Sequence, residues 1–493
     1  MKYKSTRGMA PEMSASGAII KGIAADRGLY VPEEFPKLEA LNHVAALDYK
    51  SIAAKVLAPY LSEFSAEELK ECIDGAYDGK YSVPEIVPVR KAGGAYFLEL
   101  YHGPTAAFKD MALQLMPRLL VKSMEKNHED KTVVILVSTS GDTGTAALKG
   151  FENVPGTQIV VFFPDGAVSP VQERQMRTAS GSNAHVFSIL GNFDDAQTTQ
   201  KQILSDDALL KEMEAAGFTF SAANSMNVGR LIPQIVYYVW GYLKMVTDDG
   251  AIFPGDPINI CVPSGNFGNI LSAYYAMRMG VPVKKLICAS NKNKVLTDFM
   301  NTGIYDANRE FFVTNSPSMD ILISSNLERL LYHLADEDAA EVRSLMDQLS
   351  ETGRYQVSEK VFEKLSKLFA AGYADEDEIN AAIGDLYAEE GYLMDTHTAV
   401  GYKVWKDYAE RTGDYTPTLI ASTASPYKFA ASIAGSIGIE PGADEFDTIE
   451  RLFIATGYPV PSGLAGLKDR PVVHKEAIKR EDMKGRVKKL LGL

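Results

Sequence analysis

Residues 131–151, KTVVILVSTSGDTGTAALKGF, decide how this chain is read. A run of β-branched and aliphatic residues, too apolar for a half-solvated strand, gives way to a Ser/Thr/Gly turn and then to a helical stretch. The unit recurs at 257–280 (PINICVPSGNFGNILSAYYAMRMG) and at 417–435 (PTLIASTASPYKFAASIAG). QIVVFFP (158–164) and KKLICAS (284–290) read as further strands. Fully apolar strands alternating with helices imply an α/β fold whose parallel sheets are covered on both faces. In such folds ligands bind at the carboxyl ends of the strands, and all three Gly/Ser-rich turns fall there.

The chain's 493 residues exceed one hydrophobic core, so two or three domains are expected. Lys and Arg total 50 against 64 Asp and Glu, a net charge of −14. That overall field disfavours nucleic acid or an anionic membrane as partner, but not a small anion in a locally positive pocket. No apolar run approaches the roughly 20 residues of a membrane span, and MKYKSTRGMAPEM lacks the apolar core of a signal peptide. Cys72, Cys261 and Cys288 form no CxxC pair, which points to a reducing compartment, with Cys261 and Cys288 as buried, inert thiols. A cytoplasmic location is expected, for a monomer or a homodimer alike.

PSGNFGN (263–269) offers successive backbone N–H groups and a helix N-terminus, the requirement for holding a phosphate. It has neither the Lys-Ser/Thr of a nucleotide P-loop nor GxGxxG spacing, so a smaller phosphate-bearing cofactor fits better; an ordinary Gly-rich turn would look the same. STSGDTG (138–144) supplies the hydroxyls of Ser138, Thr139, Ser140 and Thr143 for a second anion, or simply caps its helix. SAANSMNVGR (221–230) gathers Asn224, Ser225, Asn227 and Arg230, donors suited to an oxyanion rather than a metal. No metal site is read. Lys109, in HGPTAAFKD (102–110), stands at a helix start where lysines are commonly solvated. The company of anion loops and of Ser422, Thr423 and Ser425 raises the alternative, an amine that condenses with an aldehyde cofactor. The histidines show no metal or protease pairing, and His397 in DTHTAVGY is either a helix-start capping residue or part of a site wall.

Taken in order, STRG, GLYVP, HGPTAAFKD, TSGDTGTAA, SAANSMNVGR, PSGNFGN, SMDI, SSNLER, DTHTAVGY and STASPYKFA resemble the threonine synthases. These are pyridoxal-phosphate enzymes of fold type II, the tryptophan synthase β-like class, and the resemblance runs nearly the whole length. It implies a lyase that converts O-phospho-L-homoserine and water to L-threonine and phosphate, the last step of threonine biosynthesis. It implies pyridoxal 5'-phosphate held by Lys109, its phosphate by Ser264, Gly265, Asn266, Phe267, Gly268 and Asn269, and its ring nitrogen facing Thr423. Asp142 falls where relatives commonly place an asparagine near the cofactor's 3′-oxygen, although a carboxylate there would repel a phenolate. Thr139, Ser140, Thr143, Asn224, Ser225 and Arg230 match positions for the substrate's phosphate and carboxylate. Ser425 replaces a histidine of many relatives, and no role is carried to it. The alternatives are another fold-type-II lyase, such as a serine/threonine dehydratase or a phospho-lyase, or a threonine-synthase-like protein that binds ligand without turnover.

The expected organisation is an N-terminal α/β segment (1–92) with helices near 44–60 and 65–77, and a large cofactor domain begun at 93–132. A small, mobile substrate domain follows (133–227), and the large domain resumes over 228–493. That last part carries a charged helical insertion at 325–392 and a basic C-terminal extension read as a surface helix.

Overall fold

Two parallel sheets carry the molecule. The computed structural model describes residues 1–38, 46–248, 250 and 252–493. His43 and the first residues of the helix expected near 44–60 lie outside them; the described helix there is Tyr49–Leu57, and Ala66–Tyr77 follows with Ser65 and Glu68 forming a capping box.

The six-stranded sheet runs Phe369–Tyr373, Val283–Ser290, Ile258–Pro263, Thr418–Ser422, Ala95–Glu99 and Val89–Ala92, parallel except for the last pair. The five-stranded sheet runs Ala477–Lys479, Ala184–Leu190, Thr157–Pro164, Thr132–Ser138 and Phe218–Ser221, parallel throughout. Every residue of Ile258–Pro263 and Thr418–Ser422 is buried, as strands covered on both faces require. Cys261 and Cys288 lie fully buried within that sheet, and burial pushes the Cys288 thiol up to about 12. The helix Val228–Thr247 is buried along almost its whole length.

Two expectations about the second half of the chain are corrected. Residues 325–392 are not only solvated helices: FAAGY (369–373) forms the edge strand of the large sheet, parallel to Val283–Ser290. Its small residues carry too weak a strand signal to stand out between charged helices. The C-terminal extension does not belong with the large sheet either. Ala477–Lys479 adds the edge strand of the small sheet, and the helix Met483–Leu491 buries Met483, Val487 and Leu491 against Val134, Leu136 and Phe162. Its basic residues meet acidic ones on two helices of that body: Arg480 with Asp195 at 2.7 Å, Lys484 with Asp206, and Lys488 with Glu212 at 2.7 Å. Charge complementarity chooses the docking surface, and that cannot be read from the tail alone.

The N-terminal segment adds a three-stranded antiparallel sheet of Lys2–Ser5, Met13–Ser14 and Tyr30–Pro32. Fully buried Arg329 ties it to the centre, donating to Tyr30 O (2.9 Å), Met226 O (2.6 Å) and Asn326 Oδ1 (2.6 Å). His333, one helical turn on, packs among Phe35, Tyr274 and Tyr275, with its Nε2 3.0 Å from the Tyr275 hydroxyl. Burial, helped by Arg278 and Arg329, pushes its pKa down from 6.5 to about 3. The folded state therefore binds fewer protons than the unfolded chain between those values. The stability His333 contributes is full above pH 6.5 and is lost as pH falls toward 3, at up to about 1.4 kcal/mol per pH unit. Urea unfolding across this acid range should give a flatter pH dependence for His333→Gln than for the parent chain; equal slopes would remove His333 from the account.

Candidate active site

Lys109 opens the short helix Lys109–Leu113, and tertiary contacts fix where it starts. Phe108 N–H donates to Thr423 O (2.8 Å) and Ser425 N–H to Ala106 O (3.0 Å), so the lysine loop is zipped to the turn after Thr418–Ser422. Ala106 is held left-handed at φ +57°. That costs an L-residue about 1–2 kcal/mol, met by the surrounding contacts rather than by local preference.

The amine of Lys109 is largely withdrawn from solvent. Its Nζ donates to Asp142 Oδ2 at 3.2 Å and lies 3.4 Å from Ser318 Oγ, which itself donates to Asp142 Oδ2 at 3.2 Å. Asp142 Oδ1 accepts from Gln172 Nε2 (2.9 Å) and from Lys428 Nζ (2.5 Å), a lysine with no exposed side-chain surface. Burial pulls the Lys109 pKa below its ordinary value; the Lys428 and Arg230 cations add to this while Asp142 opposes it. Burial also works against ionising Asp142, but the two ammonium groups outweigh it and hold the carboxyl well below the usual range. The expected repulsion at 142 is thereby answered: the carboxylate stands behind Lys109, with two cations and two neutral donors on its oxygens.

In front of Lys109 lies a cavity of about 230 Å3 between the carboxyl ends of the two sheets. It is lined by Thr139, Ser140 and Thr143 from the small sheet and by Ser264–Asn269 and Thr423 from the large one. Asn224, Ser225 and Arg230 complete the wall. Every site residue expected from the sequence is thus in one place; Asp142 alone reaches the cavity indirectly, through Lys109 and Ser318. Two parts of its wall are built for anions.

The first is the N-terminus of the helix Gly268–Met279, whose first-turn N–H groups have no partner within the helix. Phe267 caps it in a left-handed conformation at φ +65°. Asn269 Oδ1 accepts from the hydroxyls of Tyr237 (2.7 Å) and Tyr238 (2.5 Å), which fixes the amide so that its Nδ2 is left buried and unpartnered. A buried donor without a partner costs free energy until a ligand supplies an acceptor.

The second is Arg230. It is 4% exposed, gives Nη1 to Ala223 O at 3.0 Å, and leaves Nε buried without a partner. Burial pulls its pKa down to about 10, and among the described residues no carboxylate acts on it; the Tyr237 phenol beside it is itself kept neutral by burial. Ser140 and Thr143 line the cavity with Arg230, but Thr139 has another occupation: its hydroxyl accepts the N–H groups of Gly141 and Gly144, both at 3.0 Å. Ser138 donates to Ala196 O, and Asn227 caps the helix Val228–Thr247 through Gly229 N–H. The capping reading holds for Thr139 and Asn227, whose side-chain oxygens accept N–H groups at a helix start, whereas Ser138 donates to a carbonyl of the neighbouring helix.

Of the two readings of His397 the structure bears out the site wall: Asp395 caps the helix Thr396–Thr412 by accepting the N–H groups of His397 and Thr398, while His397 itself lines the cavity. Its Nε2 accepts Ser318 N–H (3.1 Å), so the ring proton lies on Nδ1, 2.7 Å from Asp395 Oδ2. Ser318, Gln172 and Lys428 were not singled out from the sequence as site residues. Ser318 and Lys428 lie inside the motifs SMDI and STASPYKFA, but nothing local says that either reaches Asp142. Phe193 and Gln197, from the helix Phe193–Leu204, also border the cavity without any sequence signal.

Three family descriptions match the chain in succession: "Threonine synthase N terminus" over 2–77, "Pyridoxal-phosphate dependent enzyme" over 86–424, and "Threonine synthase, C-terminal" over 398–486. Threonine synthase of Pseudomonas aeruginosa is 37% identical over 461 residues, 92% of this chain and 95% of that protein. Human threonine synthase-like 1 is 40% identical over 460 residues, 89% of this chain; the match spans 61% of the human protein's length. Among solved structures, the PLP-bound threonine synthase of Brucella melitensis superposes with a TM-score of 0.88 at 35% identity, covering 100% of this chain and 98% of the other. The yeast threonine synthase gives 0.89 at 30% identity, covering 100% and 99%. Pyridoxal phosphate, the cofactor named by the family, suits the residues present. A buried amine at Lys109 is there for its aldehyde, and a helix N-terminus with an unpartnered Asn269 amide for its phosphate.

Gly265 sets how closely the turn after Ile258–Pro263 approaches Ser318. A Cβ at 265 would lie 2.9 Å from Ser318 O and 3.3 Å from Met319 Cα, backbone atoms that cannot swing aside. Gly265→Ala should cost about 1–3 kcal/mol at this contact, or about ten- to hundredfold in cofactor retention if it all falls on the bound state. Cofactor absorbance after dialysis measures it, and parental retention would contradict the assignment.

Proposed function

The chain belongs to the threonine synthase family of pyridoxal-phosphate enzymes, and we propose that it converts O-phospho-L-homoserine and water to L-threonine and phosphate. The observation that carries this reading is the pair of separate anion positions in one cavity. A cofactor phosphate needs one and a phosphorylated substrate needs a second, which a serine/threonine dehydratase would not. Arg230, a buried cation with no carboxylate partner among the described residues, is the stronger half of that support.

Pyridoxal phosphate, when bound, supplies the electron sink that makes the protons around the substrate's amino-bearing carbon removable. Lys109 would anchor it, Ser264, Gly265, Asn266, Phe267, Gly268 and Asn269 would hold its phosphate, and the Thr423 hydroxyl would be the partner of its ring nitrogen. A neutral hydroxyl, unlike a carboxylate, does not enforce a charged ring nitrogen, which suits elimination and replacement over transamination. The Lys109 amine, oriented by Asp142 and Ser318, accepts the proton from the substrate Cα and is the carrier for the later transfers at Cβ and Cγ. Arg230, with Ser140, Thr143, Asn224 and Ser225, takes the substrate's phosphate and carboxylate; Thr139 contributes by shaping its loop. The Cγ–O bond breaks with phosphate leaving as the anion, and the oxygen of water then bonds to Cβ. Water must be kept out until that last step, and closure of the segment 133–225 over the ligand is the means we assign.

Incubation of the purified protein with O-phosphohomoserine should release phosphate and threonine in equal amounts. Phosphate accompanied by 2-oxobutyrate, with no threonine, would replace this reading with a phospho-lyase; neither product would sink the enzyme. Lys109→Ala should bring both products to background with the circular dichroism spectrum unchanged, since the lysine supports chemistry rather than packing.

A further inference from the structure

The back of the site holds a second lysine that no step above uses. Lys428, on the short turn Pro426–Phe429, has no exposed side-chain surface. Its ammonium has two partners: Asp142 Oδ1 at 2.5 Å and Thr105 O at 3.0 Å. Thr105 in turn holds Asp110, donating to its carboxylate from both N–H and hydroxyl at 2.8 Å. Burial raises the Asp110 pKa to about 6 despite these bonds. The groups arrayed around Lys109 are therefore Asp142 and Lys428 behind it, Asp110 on its own helix, and Arg230 across the cavity. Asp395 and His397 act through Ser318.

The two oxygens of Asp142 divide the work. Oδ2 serves Lys109 and Ser318 and faces the chemistry; Oδ1 serves Lys428 and Gln172 and faces the interior. A reactive amine must give up its proton, whether to attack an aldehyde or to act as a base. If Lys109 were the only cation near Asp142, each such step would strand a buried carboxylate, and the carboxylate would hold the proton on the amine. We propose that Lys428 is a positioning residue for the reactive amine: as the permanent counter-ion of Asp142, it lets Lys109 shed and regain its proton while Asp142 stays ionised. Lys428 has no exposed side-chain surface and is not among the residues lining the cavity, so it stays against Asp142 while Lys109, opening on the cavity, is the amine a ligand meets. This rests on the reading of Lys109 as the amine that carries the cofactor.

The test follows the proton on Lys109 without using turnover. The full chain, freed of cofactor, is mixed with pyridoxal phosphate at a series of pH values. The neutral amine condenses with the aldehyde, releasing water; borohydride then delivers hydride to give a stable secondary amine, located by peptide mass. Labelling of the parent chain at Lys109 establishes the underlying reading, and its absence would overturn that reading rather than the role of Lys428. In Lys428→Gln the labelling rate should reach its midpoint at higher pH, falling about tenfold at neutral pH for each unit of displacement and recovering in alkali. A rate reduced equally at every pH, or unchanged, would overturn the proposal, because a merely structural contact does not move a midpoint. A second comparison asks whether the effect runs through Asp142: Asp142→Asn against Asp142→Asn with Lys428→Gln. With no carboxylate left to neutralise, the displacement that Lys428→Gln causes in the parent chain should shrink or vanish, and a displacement of the same size in the Asn background would overturn the proposal as well.

Discussion

A charged group taken out of water must find a partner or lose its charge, and the centre of this molecule is organised around that requirement. Largely buried Lys109 and buried Arg230 line one cavity. Among the described residues Lys109 alone of the two has a carboxylate, and that carboxylate is shared with Lys428. The sum is a cavity with more positive charge than its own acids can match, inside a chain whose overall charge is strongly negative. Such a cavity recruits anions, and its two polar walls offer two places to put them.

The fold delivers this by opposing the carboxyl ends of two parallel sheets. The small sheet contributes the hydroxyl-bearing loop around Asp142, and the large sheet contributes the helix N-terminus after Ile258–Pro263 and the turn carrying Thr423. The contact of Gly265 with Ser318 and the zipper between 106–108 and 423–425 lock the pieces of the large body to one another. Arg329 extends the lock to the N-terminal segment and to the loop at Met226. The small sheet is tied down by other means: the C-terminal strand and helix cover its outer edge and face, with ion pairs to Asp195, Asp206 and Glu212. Phe193 and Gln197, on the inner side of the helix that bears Asp195, border the cavity, so the tail braces from behind a wall the ligand meets from within.

Much of this was legible in the sequence because it depends on local patterns. Apolar strands followed by Gly/Ser turns identified the three site loops, and their position at strand ends identified the cavity before any distance was known. The family motifs then picked out Lys109 among residues that local reasoning would have left solvated. What stayed hidden depends on contacts between distant segments. The partner that neutralises Asp142 is 286 positions away at Lys428, on a turn whose sequence shows only a lysine between two aromatic residues. The engagement of the Thr139 hydroxyl by its own loop separates it from Ser140 and Thr143, which look equivalent in the sequence. The edge strands at 369–373 and 477–479 were missed because edge strands are short and take their pairing from the sheet they join.

The central claim is that one cavity holds two anions at once, one at the amides of 264–269 and one at Arg230. A crystal structure of the protein grown with pyridoxal phosphate and inorganic phosphate tests it most directly. The account predicts cofactor joined to Lys109, with its phosphate against Gly265–Asn269, and a second, separate phosphate on Arg230 between Ser140, Thr143 and Asn224. A cofactor phosphate seated on Arg230, with no room left for another anion, would contradict it.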